Sequence, residues 1–227
     1  MPELEQSGDT KQAILRVAAE EFERAGYSGA TIGAIASRLG VTKSVISYHF
    51  PSKAELAQAV VSQRYGDFAD VVRGLDLSGL EALIVVSMVA AHQFETDTST
   101  RAAIRLQRES SQIGIDLPSP YAGRIRLYES MLTEESDAIL LAGWSSRAAM
   151  AQAIVASLAG VTMVHARLGG DGEIADRVLD YWRLTLPGLT TRDSDALLAR
   201  AQGSFARWRT LIPGAGAVPV AESLLTT

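Results

Sequence analysis

The sequence predicts an all-α protein, and three observations carry that expectation. Apolar residues recur at helical spacing from Ile14 to Trp208, no stretch alternates with the two-residue period of a strand, and Leu, Ala, Ile and Val far outnumber the 6% of aromatic residues. The 227 residues, 47% hydrophobic and 21% charged, suit a small domain joined to a larger one. The absence of cysteine excludes disulfides, thiolate metal sites and cysteine nucleophiles, and points to a reducing cytoplasm. The start MPELEQSGDT is polar and acidic, unlike a secretory signal.

The first helix is read from Ile14, Val17, Ala18, Phe22 and Ala25, with Asp9 or Thr10 as N-cap and Gly26 as the stop. A short second helix starts from Thr31 as N-cap, buries Ile32, Ile35, Ala36 and Leu39, and ends at Gly40, where a left-handed cap is expected. Thr42 is placed as the cap of a third helix that runs to Phe50, before Pro51 interrupts the ladder. Ser52 and Glu55 form the S-x-x-E pattern of a capping box and open a long fourth helix. Beyond residue 75 the expected helices are 79–95, 98–110, 120–142, 146–168, 173–186 and 194–209, broken at 111–119, 169–172 and Pro187–Gly188. The apolar runs at 80–91 and 148–164 are read as buried helices, the first too short to span a membrane and the second carrying Gln152, Ser157 and Thr162. The resulting organisation is a flexible arm at 1–8, a helix-turn-helix domain at 9–53, a larger helical domain at 54–212 and a flexible tail at 213–227.

The segment TIGAIASRLGVTKSVISYHF, residues 31–50, has the pattern helix, four-residue turn, helix. At about 100° per residue the third helix puts Lys43, Ser44, Ser47 and Tyr48 on one arc and Val45, Ile46, His49 and Phe50 on the other. The second arc can pack on the two preceding helices, while the first offers a cation, two hydroxyls and a phenol, as a helix lying in a DNA major groove requires. A net charge of −5 argues against nucleic acid, because phosphate binding needs cations. Between Thr31 and Arg64, however, four cations (Arg38, Lys43, Lys53, Arg64) face one anion, Glu55, a local excess of three positive charges. Thr31, Thr42 and Ser52 would serve as N-caps in any helical protein, and His49, near a helix C-terminus, would serve there structurally as well.

The run from Ile14 to Lys53 resembles the TetR family of regulators, through Phe22, Gly26, Tyr27, Thr31, Ile35, Ala36, Gly40, Val41, Thr42, Tyr48, His49, Phe50, Ser52 and Lys53. The joined Y-H-F-P-S-K extension makes the match specific over about 45 residues. The sequence departs from the family pattern at Ser47, where a tyrosine is usual, and at Ser44, where glycine is common. The resemblance implies that Thr31, His49 and Lys53 hold phosphates, that Thr42, Lys43, Ser44 and Tyr48 face the groove, and that Ser47 reaches phosphate only through a shorter hydroxyl. More diffusely, AAEEFERAGY, PSKAELAQAVV, LEALI and the loop IGIDLPSPY resemble the γ-butyrolactone receptors of actinomycetes.

That likeness implies a ligand-responsive repressor: a homodimer on double-stranded palindromic DNA, released by a small-molecule effector of the butyrolactone or a related type. Its alternative is a constitutive DNA-binding protein whose second domain serves only dimerisation or protein interaction. The implied effector residues are Arg64, Met88, His92, Ile104, Gln107, Arg124, Tyr128, Val161, Thr162 and His165. The family carries glutamine and tryptophan at the positions matching Arg64 and Arg124, and two buried arginines need a counter-charge. They therefore face solvent, form salt bridges within the protein, or meet an anionic effector. The small residues Ala149, Ala153, Ala156, Ser157 and Gly160 form a face for a dimer interface with the last helix, or else an intramolecular core face. His92 and His165 are open between core and ligand-reading roles. No catalytic residue, metal or cofactor is expected: the three histidines lack ligand spacing, and there is no G-x-S-x-G, P-loop or dinucleotide fingerprint.

Overall fold

The computed structural model describes residues 2–140, 143–169 and 171–211, and the tail expected at 213–227 lies outside them. The described residues form ten α-helices and one short 3₁₀ turn: α1 (Pro2–Gly29), α2 (Ile32–Leu39), α3 (Lys43–His49), α4 (Lys53–Gly74), α5 (Gly79–Thr96), α6 (Thr98–Ile113), α7 (Pro120–Glu134), α8 (Arg147–Leu168), α9 (Ile174–Thr185) and α10 (Ser194–Leu211), with the turn at Leu186–Gly188. The one extended pairing among the described residues is a single antiparallel bridge between Ile139 and Thr190. The all-α reading holds.

Several boundaries differ from expectation, each for a local reason. α1 starts at Pro2, so the helix begins within the segment read as an arm and is not capped at Asp9 or Thr10; proline is favoured at a first helical position because its missing N–H has no partner there. Gly26 does break α1, at φ 70° and ψ 176°, but one further turn follows to Gly29. α6 runs on to Ile113 because Gly114 supplies the left-handed cap. α7 stops at Glu134 rather than 142, since the chain turns over 135–138 into the Ile139–Thr190 bridge.

The helices gather into two compact units, one comprising residues up to Asp76 with Asp97–Tyr128, the other Leu77–Thr96 with the described residues from Glu129 on. The packing division therefore does not fall at residue 53. In the first unit Ile14, Ala18 and Phe22 of α1, Ile35 of α2, Ile46 of α3, Leu56 and Val61 of α4, and Ala102 and Leu106 of α6 share one buried cluster. A short three-helix motif has little surface to bury by itself, and α4 and α6 complete its core.

In the second unit α5 is the central element, buried at nearly every position from Leu80 to Val89. It packs against α9 and α10, whose Ile174, Val178, Trp182, Leu197, Ala201 and Phe205 are buried. The fully buried Trp182 indole donates to Ser87 Oγ at 2.9 Å, and Ser87 in turn donates to the Ile84 carbonyl, so the Trp182 N–H is satisfied within the core. Glu81 links α5 to α10 by accepting from Ser204 at 2.8 Å.

Candidate nucleic-acid interface

The groove-facing arc is built from α2 and α3. Thr31 caps α2 by accepting from the Ala34 N–H at 3.1 Å, and Gly40, at φ 68°, closes it in the left-handed region. Thr42 occupies the N-cap position of α3 with extended backbone, but its hydroxyl makes no capping bond, contrary to the expected capping role. Ile46 is completely buried, Phe50 is buried and Val45 and His49 are half-buried, while Thr42, Lys43, Ser44, Ser47 and Tyr48 are exposed. Tyr48 is 82% exposed, an unusual fate for an aromatic ring and one that packing inside the unit does not explain. His49 sits edge-on to it at 5.2 Å.

Lys43 has a feature that sequence reasoning missed. A Cβ at Gly33 would lie 2.9 Å from Lys43 Cε and 3.4 Å from Nζ, so the absence of a side chain at Gly33 lets the lysine stem lie across α2 near Thr31. The glycine in T-I-G-A-I-A was the only available signal.

Lys53 takes a different place from the one expected. Its ammonium donates to the carbonyls of Tyr27 at 2.8 Å and Ala30 at 3.0 Å, and lies 4.3 Å from the Tyr27 ring centroid. It therefore holds the turn between α1 and α2, with two of its three donors in use. The local excess of positive charge is also smaller than the sequence count. Arg38 pairs with Glu20 and lies 3.6 Å from Glu21, and Arg64 pairs with Asp97 at 3.0 Å. Lys43 and Lys53 remain as the cations of residues 31–64 without a carboxylate partner among the described residues.

From the opposite side, α6 grips the broken end of α1. Glu109 accepts from the Tyr27 N–H at 2.7 Å and from Arg105 Nε at 2.9 Å, and Arg105 Nη1 donates to the Glu23 carbonyl at 2.6 Å. Arg101 pairs with Glu23 at 3.2 Å. Burial alone would raise the Glu109 carboxyl, but the hydrogen bonds from Arg105 and Tyr27 outweigh it and hold the group below the ordinary glutamate value.

The ten effector candidates divide between the units, and each set is described by itself. In the first unit Arg64 is buried, its Nε at 2.5 Å from Thr100 Oγ1 and 3.0 Å from Asp97 Oδ2, and burial lowers its pKa. Among the alternatives open for the two arginines, Arg64 takes the internal salt bridge. Arg124 is half-buried with its Cζ 5.2 Å from the Phe68 ring centroid. Gln107 donates to the Pro118 carbonyl, Tyr128 is buried and Ile104 is half-buried. A cleft of about 420 Å³ opens between α1 and α4, with Gln12, Gln63, Arg64 and Asp67 in its lining.

In the second unit Met88 is buried, and His92 is buried edge-on to the rings of Phe205 at 6.1 Å and Trp208 at 5.7 Å. His92 is thus part of the core, and burial holds its pKa below the usual histidine value. Val161, Thr162 and His165 are half-buried on α8, where the Thr162 hydroxyl donates to the Leu158 carbonyl at 3.0 Å. On the small-residue face of the same helix Ala156 and Ser157 are exposed and Ala149, Ala153 and Gly160 half-buried, and beyond them Met163, Val164 and Leu168 are 53–77% exposed. The intramolecular core is formed instead by Met150, Ala151, Ile154, Val155 and Leu158. By length and composition α8 could cross a membrane, and only 28% of its most apolar window is buried within the chain, so the run at 148–164 is not the buried helix expected from the sequence. No group of three or more metal-ligating side chains occurs among the described residues.

Residues 14–60 match the family described as bacterial regulatory proteins, tetR family. The A-factor receptor protein of Streptomyces griseus is 28% identical over 180 residues, which cover 79% of this chain and 63% of that protein. The regulator SrpR of Pseudomonas putida is 36% identical over 88 residues, 37% of this chain and 40% of SrpR, so the chain spans less than two thirds of either relative. A solved structure described as the molecular basis for control of antibiotic production by bacterial hormones is 31% identical, with a TM-score of 0.72 over 81% of this chain and 98% of that one. The fold is shared with CprB of Streptomyces coelicolor, solved with its operator, at a TM-score of 0.66 and 22% identity over 90% and 98% of the two chains. The helix-turn-helix match and the similarity that extends along most of the helical chain together establish that this protein belongs to the TetR family.

Proposed function

We propose that the protein is a ligand-responsive transcriptional repressor that binds palindromic operator DNA as a homodimer in the cytoplasm and is released by a small signalling molecule, of γ-butyrolactone or related type. The observation that carries the DNA-binding part is the exposed arc of α3, where Lys43, Ser44, Ser47 and Tyr48 face solvent above a buried Ile46. A cation, hydroxyls and a phenol on a short supported helix suit base edges and phosphates of a major groove. Thr31, Thr42 and His49 border that arc and are proposed to contact the backbone, with Lys53 holding the turn behind them.

The exposed small and apolar face of α8 supports the homodimer. Ala149, Ala153, Ala156, Ser157 and Gly160 permit close helix approach, and Met163, Val164 and Leu168 leave apolar surface that a second copy would bury. Release by a small molecule rests on the relatives, one called an A-factor receptor and others γ-butyrolactone receptors. A gel-shift titration on the intergenic DNA upstream of the protein's own gene tests the reading. A near-palindrome with half-sites about one helical turn apart should be bound in preference to random DNA, with affinity falling steeply as salt rises; equal affinity for both overturns it.

A further inference from the structure

Two guanidiniums flank one aromatic ring on α4: Arg64 Cζ lies 5.9 Å and Arg124 Cζ 5.2 Å from the Phe68 centroid. Their situations differ. Arg64 bonds Thr100 and pairs with Asp97, and Asp67 adds a second, weaker attraction. Arg124 is half-buried against the ring, and no carboxylate among the described residues lies within ion-pair distance of it.

One helical turn before Phe68, the Tyr65 hydroxyl is buried and makes no hydrogen bond of ordinary geometry. Its neighbours are Arg124, Tyr121 and Gln107. The Gln107 side chain is close enough to offset part of that burial, and one of its amide N–H groups goes to the Pro118 carbonyl, but no hydrogen bond of ordinary geometry joins it to the hydroxyl. Burial raises the tyrosine pKa, so the phenol stays protonated and is a donor. A buried donor without an acceptor and a half-buried cation without an anion are each unfavourable, and here they are adjacent. A single carboxylate would satisfy both, pairing with the guanidinium and accepting the phenolic proton in a hydrogen bond.

We propose that Arg124 and the Tyr65 hydroxyl form the head-group site for a monocarboxylate effector, with Phe68 holding the guanidinium in place and Arg64 taking no direct part. This deepens the ligand-responsive reading and rests on it. One uncompensated positive charge matches one negative charge, which favours a carboxylate over a doubly charged phosphate. It also disfavours a neutral lactone, which would leave Arg124 desolvated and unpaired.

The test is calorimetric titration of the full chain, without DNA, with decanoate and with methyl decanoate, for the wild type, Arg124→Gln and Tyr65→Phe. The wild type should prefer the carboxylate by about tenfold or more, the ratio expected of a charge-assisted pair. Arg124→Gln should abolish that preference by weakening binding of the acid, and Tyr65→Phe, which preserves the ring, should reduce it several-fold with no loss of thermal stability. Equal binding of acid and ester by the wild type, binding of neither, or an undiminished preference in Arg124→Gln overturns the proposal. Because DNA is absent, failure of operator binding would be seen separately, in the gel shift.

Discussion

Replacing Gly26 by alanine attacks the joint between α1 and α6, and the size of the effect follows from the geometry. At φ 70° and ψ 176° the backbone lies in a region that is essentially glycine's alone, so alanine there carries about 1–3 kcal/mol of strain. The added Cβ would also lie 2.6 Å from Glu109 Oε1 and 2.8 Å from Arg105 Nη2. Both contacts are with ends of flexible side chains, which can retreat only by releasing the Tyr27 N–H or the Glu23 carbonyl. Losing one charged hydrogen bond adds about 1.5–3 kcal/mol. With Arg105 41% exposed the lower part of that range applies, and the total is about 3 kcal/mol. For a chain of this length that corresponds to a fall in Tm of about 6–12 °C in a calorimetric scan.

The same substitution at Gly66, exposed within α4 with nothing within 4 Å of the new Cβ, should stabilise by about 0.5–1 kcal/mol. Combining Gly26→Ala with Glu109→Ala should give less than the sum of the two losses, because the second change removes the nearer of the two clashes but not the strain. Equal shifts for the two glycines, or strict additivity with Glu109→Ala, would refute the clamp.

Ile46→Ala, at a fully buried position, should destabilise by about 2–5 kcal/mol in urea unfolding, and an unchanged midpoint would remove α3 from the core as described. Lys43→Ala and Tyr48→Ala should keep wild-type stability to within about 0.5 kcal/mol yet lose preference for the palindrome in a gel shift; retained preference in both would move recognition elsewhere. His92 is held below the ordinary value near 6.5, chiefly by burial and also by Arg209. The unfolded chain therefore takes up the proton first, and stability, fully present above about pH 6.5, falls as pH drops through that value toward the folded pKa. Comparing urea unfolding at pH 7.5 and 5.5, His92→Gln should show a smaller decline than the wild type; an identical decline would assign the slope to other groups.

The sequence by itself determined the helical class, the order of the helices and the inward and outward arcs of α3. These depend on periodicity and on local caps such as Thr31, Gly40 and Ser52, all set within a few residues along the chain. It also showed that Arg64 needed a counter-charge if buried, but not that Asp97, thirty-three positions away, would provide it. Only the tertiary structure decided that Lys53 turns back to the carbonyls of Tyr27 and Ala30, that Glu109 and Arg105 fill the space Gly26 leaves open, and that the Tyr65 hydroxyl is buried beside Arg124 without a partner. Each of these is a long-range pairing of polar groups. Hydrophobic periodicity records which face of a helix is buried, but it says nothing about which donor from another helix meets which acceptor there, because that depends on how the helices cross.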